Sequence, residues 1–130
     1  MKTKKILIVD DEVHIRLLLE QTLEDFESRG VELFMADNGK TALELIKTEH
    51  PDLVFLDVML PLINGYEVCY TVKKKLKLNH VFIAMLTAKG QEFDKKRGFE
   101  VGADEYFTKP FDPDMIIRRS AAILQIPELM

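Results

Sequence analysis

The sequence predicts an α/β fold in which five parallel strands alternate with five helices around one sheet. Three observations support this prediction. Continuous apolar runs, such as residues 53–56, are typical of strands buried on both faces of a parallel sheet. Segments with apolar residues at intervals of three and four, typical of amphipathic helices, separate these runs. The regular alternation of the two patterns implies βαβ units, right-handed crossovers and helices on both sheet faces.

The composition is that of one ordinary globular domain. The chain has 130 residues, 47% of them hydrophobic and 31% charged, so we expect residues 1–130 to form a single domain. A formal net charge of −4 argues against direct binding of nucleic acid. The single cysteine, Cys69, excludes an internal disulfide and is interpreted as a small core residue. No segment has the pattern of a signal peptide or a membrane span, so we expect a cytoplasmic protein without membrane contact.

Three strands are predicted in the first half of the chain, at residues 5–9, 31–36 and 53–57. One helix over residues 13–26 is predicted between the first two strands, from the helical spacing of Ile15, Leu18, Leu19, Leu23 and Phe26. The next helix carries Ala42, Leu45 and Ile46 on one face. The third strand must end near Asp57, because Pro61 cannot continue a β-ladder.

The second half of the chain repeats the alternation with strands at residues 81–86 and 105–108. A helix that begins at Asn64 precedes them, and its predicted inner face consists of Val68, Cys69, Val72 and Leu76. The basic run 73–75 on this helix is interpreted as a solvated surface. A weakly amphipathic helix is predicted over residues 91–101, and the last helix begins near Pro113.

Polar side chains stand at the predicted carboxyl ends of four strands: Asp10 and Asp11, then Asp57, Thr87 and Lys109. In a parallel sheet these ends share one edge, and ligands of open α/β sheets bind there. Three adjacent carboxylates repel one another unless a cation joins them, and Mg²⁺ prefers oxygen ligands. With Mg²⁺ and one lysine the formal charges sum to zero. Such a site suits a carboxylate that accepts a phosphoryl group as an acyl phosphate.

Each of these residues also has a simpler interpretation when it is considered alone. An aspartate after a strand is often a helix cap, and either Asp10 or Asp11 fits that role equally well. Thr87 fits an ordinary turn residue, and Lys109 fits a surface charge. The joint placement of all of them at strand ends favours the site.

Four groups of motifs resemble the receiver domain of two-component response regulators over essentially the whole chain. They are Ile8-Val9-Asp10-Asp11-Glu12; Leu56-Asp57-Val58-Met59-Leu60-Pro61 with Asn64-Gly65-Tyr66-Glu67; Leu86-Thr87-Ala88; and Gly102-Ala103-Asp104-Glu105-Tyr106 with Thr108-Lys109-Pro110-Phe111. The resemblance implies a flavodoxin-like (βα)5 fold with strand order 2-1-3-4-5. One departure is that Leu62 and Ile63 follow Pro61, where the family often has glycine. This loop is therefore expected to be stiffer and more apolar than usual.

The resemblance implies a phosphoacceptor and a metal site at this edge. Asp57 would accept the phosphoryl group. Mg²⁺ would bind directly to Asp11, Asp57 and the backbone carbonyl oxygen of Met59, and to Asp10 through water. Lys109 would contact Asp57 or the phosphoryl oxygens.

The resemblance also implies a set of residues that respond to phosphorylation. The hydroxyl of Thr87 and the backbone N–H of Ala88 would donate to the phosphoryl group, and Tyr106 would change its rotamer in the active state. A cis peptide bond between Lys109 and Pro110 would direct the lysine into the site.

The function implied by the resemblance is a phosphorylation-dependent signalling switch. A phosphohistidine on a sensor histidine kinase or a histidine phosphotransfer protein would supply the phosphoryl group. The chain would catalyse only its own phosphorylation and a slow autodephosphorylation. The output would act through the face formed by residues 91–101, the fifth strand and the last helix. The charges of Arg97, Glu105 and Arg119 on or near that face fit a partner, a phosphorylation-dependent homodimer or simple solubility.

Three rival functions are less consistent with the sequence. An aspartate-nucleophile phosphatase typically needs a second aspartate two residues after the first, where this chain has Met59. A flavodoxin-type carrier needs a Ser/Thr/Gly-rich phosphate loop after the first strand, where this chain has an acidic one. A receiver-like module that binds partners without phosphorylation normally loses an acidic-pair residue, the acceptor or the lysine. All of these residues are present, and the phosphorylatable switch is favoured.

Overall fold

Five parallel strands form one sheet in the order β2-β1-β3-β4-β5 in a computed structural model, which describes residues 2–88 and 95–130. The strands are β1 (Lys5–Val9), β2 (Glu32–Ala36), β3 (Leu53–Asp57), β4 (Phe82–Ala88) and β5 (Glu105–Lys109). The predicted fold class and strand order are therefore confirmed. Strand β3 lies at the centre, and its last residue, Asp57, is in register with Leu86 of β4.

The helices are α1 (Val13–Thr22), α2 (Glu24–Ser28), α3 (Gly39–Glu49), α4 (Gly65–Tyr70), α5 (Lys95–Glu100) and α6 (Pro113–Leu124). A π-helical segment (Thr71–Lys75) extends α4, and a 3₁₀ turn (Pro127–Leu129) follows α6. Side-chain oxygens of Asn38, Asn64 and Asp112 accept backbone N–H groups at the starts of α3, α4 and α6. Such caps satisfy amide groups that have no partner within the helix. None of the helices in the described part of the chain has the length and apolar character needed to cross a bilayer.

The core has two layers, because alternate residues of each strand point to opposite faces of the sheet. One layer contains Leu7, Val54, Leu56 and Met85, and α3 and α4 cover it with Ala42, Ile46, Val68 and Cys69. The other contains Ile6, Ile8, Phe55 and Leu86, and α1, α2 and α6 cover it with Leu19, Phe26 and Ile116. Cys69 is buried as predicted, and burial raises the pKa of its thiol to about 12.

Three predicted helices differ from the structure. The helix predicted over residues 13–26 is interrupted at Leu23 (φ −98°, ψ 14°), which ends α1 before α2 begins, and Leu18 is exposed. Leu76 is exposed rather than on the inner face. The wider i→i+5 turns of the π-helical segment rotate later residues away from the face set by α4. Of the helix predicted over residues 91–101, the structure has α5, and residues 91–94 lie outside the described ranges.

Two predicted strands end earlier than the structure shows. Strand β4 continues to Ala88 and β5 continues to Lys109. Thr87 and Lys109 consequently belong to the last ladder positions, where Thr87 is in register with Thr108 and Ala88 with Lys109. The predicted cis peptide bond between Lys109 and Pro110 is confirmed.

Candidate functional site

The carboxyl edge of the sheet brings three of the predicted site residues into direct contact. Asp10 follows β1, Asp57 ends β3 and Lys109 ends β5. The ammonium nitrogen Nζ of Lys109 lies 2.6 Å from Oδ2 of Asp10 and 3.8 Å from Oδ1 of Asp57. One lysine therefore bridges two carboxylates that come from the two neighbouring inner strands.

Asp10 is held by backbone and side-chain groups on several sides. Its side chain is fully buried, and Oδ1 accepts the backbone N–H of Glu12 at 2.9 Å. Its backbone carbonyl accepts a hydrogen bond from Nη1 of Arg16 at 2.7 Å. These contacts fix the turn from β1 into α1, and the carboxylate keeps Oδ2 directed at Lys109.

Asp57 is a nearly buried carboxylate whose backbone is closely packed. Only 4% of the residue is exposed, and Oδ1 accepts the backbone N–H of Met59 at 3.3 Å. A Cβ atom at Gly65 would overlap the carbonyl oxygen of Asp57, so only glycine allows α4 to start this close to the strand end. The N–H of Gly65 donates to the carbonyl of Val58 at 2.9 Å. The backbone at Asp57 is therefore closely packed on the side of α4.

Burial and the neighbouring carboxylates raise the pKa of Asp57 to about 7. Burial is the largest cause, and the negative charge of Asp10 adds to it. The charge of Lys109 and the hydrogen bond from Met59 oppose the shift without cancelling it. For Lys109, burial would lower the pKa, but the hydrogen bond to Asp10 and the charge of Asp57 outweigh burial and raise it. The positive charge of Lys109 is thus favoured, while the pKa of Asp57 remains raised in spite of the neighbouring lysine.

The acidic loop after β1 supplies donors suited to a divalent cation. Carboxylate oxygens of Asp10, Asp11 and Glu12 all lie within 4.8 Å of one another. An all-oxygen set that is open to water on the side of the exposed Asp11 and Glu12 fits Mg²⁺. The raised pKa of Asp57 is a second sign that this edge suits an added cation. Glu12 belongs to this group but is not among the predicted ligands. Its position in the sequence, directly after Asp10 and Asp11, is the feature that could have identified it.

Thr87 and Tyr106 lie beside this edge, on the side of β5. The buried Thr87 donates its hydroxyl to the backbone carbonyl of Phe107 at 3.4 Å. Tyr106, the residue before Phe107, is half-buried and packs against the core layer under α3 and α4. Ala88 is half-buried at the end of β4. The hydroxyl of Thr87 thus contacts the backbone next to Tyr106 in this conformation.

The charged residues predicted near the output face make contacts within the chain. Nε of Arg119 lies 2.8 Å from Oε1 of Glu105, which links α6 to β5. The guanidinium carbon of Arg97 lies 4.3 Å from the ring centroid of Tyr66, a cation–π distance that links α5 to α4.

Comparison with known proteins matches residues 6–121 to the family model of the response regulator receiver domain. The alkaline phosphatase synthesis transcriptional regulatory protein PhoP of Bacillus subtilis is 46% identical over 126 residues, which are 97% of this chain and 50% of PhoP. The chain thus spans about half the length of the curated relatives it matches.

Two solved structures of receiver proteins have the same fold. The chemotaxis response regulator CheY4 of Vibrio cholerae superposes with a TM-score of 0.79 and 30% identity, covering 94% of this chain and 99% of CheY4. The receiver domain of Ssk1 of Saccharomyces cerevisiae, crystallised with the histidine phosphotransfer signalling protein Ypd1, gives a TM-score of 0.79 and 26% identity. That match covers 92% of this chain and 87% of the other.

Proposed function

Because the chain belongs to the response regulator receiver family, we propose that it is a signalling switch phosphorylated on Asp57. The observation that carries the proposal is the contact of Lys109 with two buried carboxylates, of which one follows β1 and the other ends the central strand β3. Asp57 is the carboxylate of this pair that ends β3, and its side chain is 6% exposed. A small exposed area of this kind admits a phosphoryl group and little bulk water.

The proposed reaction transfers a phosphoryl group from a phosphohistidine to a side-chain oxygen of Asp57. The P–N bond of the donor breaks, a P–O bond to the carboxylate forms, and the imidazole leaves as the neutral base once it has taken up a proton. Lys109 is positioned to hold the transferred oxygens, because its ammonium group already contacts Asp57. Asp11, Asp57 and the carbonyl oxygen of Met59 are the proposed direct ligands of Mg²⁺, and Asp10 is proposed to bind the ion through water. When bound, the ion supplies positive charge that offsets the charge developing on the phosphoryl oxygens.

The proposed switch begins with the hydroxyl of Thr87. An acyl phosphate adds negative charge and acceptor oxygens, so the hydroxyl and the backbone N–H of Ala88 turn from their resting contacts to the phosphoryl group. A hydrogen bond of this kind contributes about 1.5–3 kcal/mol. The space left beside β4 receives the ring of Tyr106. Since about 5.5 kcal/mol is needed to move a two-state equilibrium from 1:99 to 99:1, the shift in population is graded.

Incubation with acetyl phosphate and Mg²⁺ tests the acceptor. We expect the protein to gain one phosphoryl mass that alkaline treatment removes, as an acyl phosphate requires. Asp57→Asn should gain none, while Asp25→Asn, which changes an exposed carboxylate on α2, should react as the parent does. Full labelling of Asp57→Asn would refute the assignment of the acceptor.

Beryllium fluoride, a mimic of the phosphoryl group, tests the switch. Chemical-shift changes should extend from Asp57 through Thr87 to Tyr106 and α6. Changes confined to the loops around Asp57 would contradict the proposed route.

The proposed setting of this reaction is a cytoplasmic two-component pathway. The donor is a sensor histidine kinase or a histidine phosphotransfer protein, and residues 1–130 act as one receiver domain that does not itself bind nucleic acid. Relatives of about twice this length carry the names of transcriptional regulators, which supports control of transcription as the output. The face formed by α5, β5 and α6 is the proposed contact for that output or for a second copy of the chain.

A further inference from the structure

Leu62 combines a strained backbone with an exposed apolar side chain. Its φ is 70°, in the left-handed region that residues with a Cβ rarely adopt, and it is 77% exposed. The N–H of Ile63 donates to the carbonyl of Pro61 at 2.9 Å, so Leu62 is the central residue of a γ-turn with positive φ. Among the residues that the structure describes, little packs against the side chain of Leu62 to offset this strain, because most of it is in water.

The turn around Leu62 is held firmly on its inner side. The N–H of Gly39 donates to the carbonyl of Pro61 at 3.4 Å, and a Cβ atom at Gly39 would overlap the carbonyl oxygen of Ile63. The side chain of Ile63 packs against the core layer under α3 and α4. The neighbours on both sides of Leu62 are therefore anchored, so the backbone that carries its exposed side chain is preorganised.

This turn lies in the loop that leaves the proposed phosphoacceptor. Asp57 is 4% exposed, so a protein donor must cover the end of β3 to bring a phosphohistidine into bonding distance. Met59, between Asp57 and the turn, is also an exposed apolar residue, at 62%. Met59 and Leu62 thus place two exposed apolar side chains in the loop that leaves Asp57, and burial of apolar surface favours their contact with a protein that covers this loop.

We infer that Leu62 is a specificity-determining contact for the protein that carries the phosphohistidine. The inference rests on the proposed function. The partner presents an apolar recess beside its phosphohistidine, and Leu62 enters that recess without first losing backbone freedom. The backbone conformation of Leu62, with φ 70°, directs the side chain outward, and this contact with the partner is what the strained turn provides. A small phosphodonor has no such recess, so Leu62 is not needed for reaction with acetyl phosphate.

The test compares protein and small-molecule donors on matched variants. The protein probe is the autophosphorylated histidine kinase, among those purified from the source organism, that phosphorylates the parent chain fastest. Leu62→Asn keeps the turn, because asparagine tolerates positive φ, and removes the apolar contact. Leu62→Met keeps an apolar side chain. Leu76→Ala is the control, since Leu76 is an exposed leucine at the far end of the segment that begins with α4.

We expect Leu62→Asn to lower kcat/KM for transfer from the kinase at least tenfold, with Leu62→Met and Leu76→Ala close to the parent. All three variants should react with acetyl phosphate at the parental rate. Equal transfer from the kinase to Leu62→Asn and the parent would overturn this inference and leave Asp57 as the acceptor. A parent chain that takes no phosphoryl group from acetyl phosphate would instead overturn the proposed function.

Discussion

Opposite edges of the sheet each hold one lysine–aspartate pair. At the carboxyl edge, Nζ of Lys109 lies 2.6 Å from Asp10, and at the amino edge, Nζ of Lys73 lies 2.7 Å from Asp104. The two lysine side chains are similarly buried, at 12% and 9% exposure. The pairs differ in the charges that surround them, and this difference separates a site from a structural link.

The amino-edge pair is balanced. Oδ2 of Asp104 also accepts the backbone N–H of Ile83 at 2.8 Å, and the N–H of Asp104 donates to the carbonyl of Ile83 at 2.9 Å. One positive and one negative charge, with a backbone amide as the third partner, satisfy each other. This pair connects the π-helical segment to the start of β4 and the turn before β5.

The carboxyl-edge pair is unbalanced. Lys109 is one positive charge near the carboxylates of Asp10 and Asp57, with Asp11 and Glu12 in the adjoining loop. The negative excess helps to raise the pKa of Asp57, to which burial contributes most. The same type of ion pair is neutral when its charges match, and leaves an excess of negative charge at the sheet edge when they do not.

Removing the charge of Asp57 should give the largest change in stability. Its pKa of about 7 in the native state exceeds the ordinary 3.8, so the native state holds this proton to higher pH than the unfolded chain does. Stability from this group is therefore present at low pH and is lost as pH rises from about 4 through 7. Asp57→Asn should be more stable than the parent by about 3–4 kcal/mol at pH 8 without Mg²⁺, and by much less at pH 5. Urea unfolding at the two pH values measures this difference.

The exposed Asp25 supplies the control for that experiment. Asp25→Asn should leave the pH dependence of unfolding close to that of the parent. An equal gain for Asp57→Asn at pH 5 and pH 8 would show that packing, not charge, explains its stability.

Replacing each lysine by methionine tests whether the two pairs respond differently to Mg²⁺. Both changes leave an aspartate without its lysine partner, and we expect each to lower the free energy of unfolding by about 1–3 kcal/mol in EDTA. Mg²⁺ should recover part of the loss in Lys109→Met, because the ion binds beside Asp10. In Lys73→Met, Mg²⁺ should raise the free energy of unfolding by no more than it does in the parent, since Asp104 lies at the other edge. Identical Mg²⁺ responses would mean that the two edges are electrostatically alike.

The parent chain should itself be stabilised by Mg²⁺. At a concentration ten times the Kd, a ligand that binds only the native state contributes about 1.4 kcal/mol. Asp11→Ala should lose most of this gain, because Asp11 is the exposed carboxylate proposed to bind the ion directly. Thermal unfolding at several Mg²⁺ concentrations measures the effect. An unchanged titration for Asp11→Ala would show that the ligands are misassigned.

The carboxyl edge could be predicted from the sequence more completely than the amino edge. Buried parallel strands appear as uninterrupted apolar runs, and the polar residues that end them share an edge by topology alone. Asp10, Asp57 and Lys109 could therefore be placed together without any knowledge of side-chain contacts. The position of Thr87 inside β4 could not, because the length of a strand depends on pairing with its neighbour β5.

The amino-edge pair was not predictable because it depends on tertiary contacts. The sequence pattern predicts a solvated helix surface for the run 73–75. This prediction fits the exposed Lys74 and Lys75, and it is wrong for the side chain of Lys73, which is only 9% exposed. Its burial follows from the π-helical segment and from the close packing of Lys73 against Gly102. A helical pattern in the sequence does not reveal a widened turn, so neither Lys73 nor the exposed Leu76 could be assigned correctly.

The smallest expected effect concerns backbone strain at the carboxyl edge. Leu62 at the carboxyl edge has φ 70° and is mostly exposed, so its side chain contributes little to the core. Glycine reaches this conformation without a steric cost, although it also loses more backbone entropy on folding. We expect Leu62→Gly to raise the free energy of unfolding by about 0.5–1 kcal/mol, which is roughly the strain of a backbone with positive φ less that entropy. Gly30, which already has φ 90°, provides the reverse test, since Gly30→Ala should destabilise by a similar amount. Urea unfolding of both variants measures these changes. A loss of stability in Leu62→Gly would show that contacts of the leucine side chain stabilise the loop by more than the backbone strain costs.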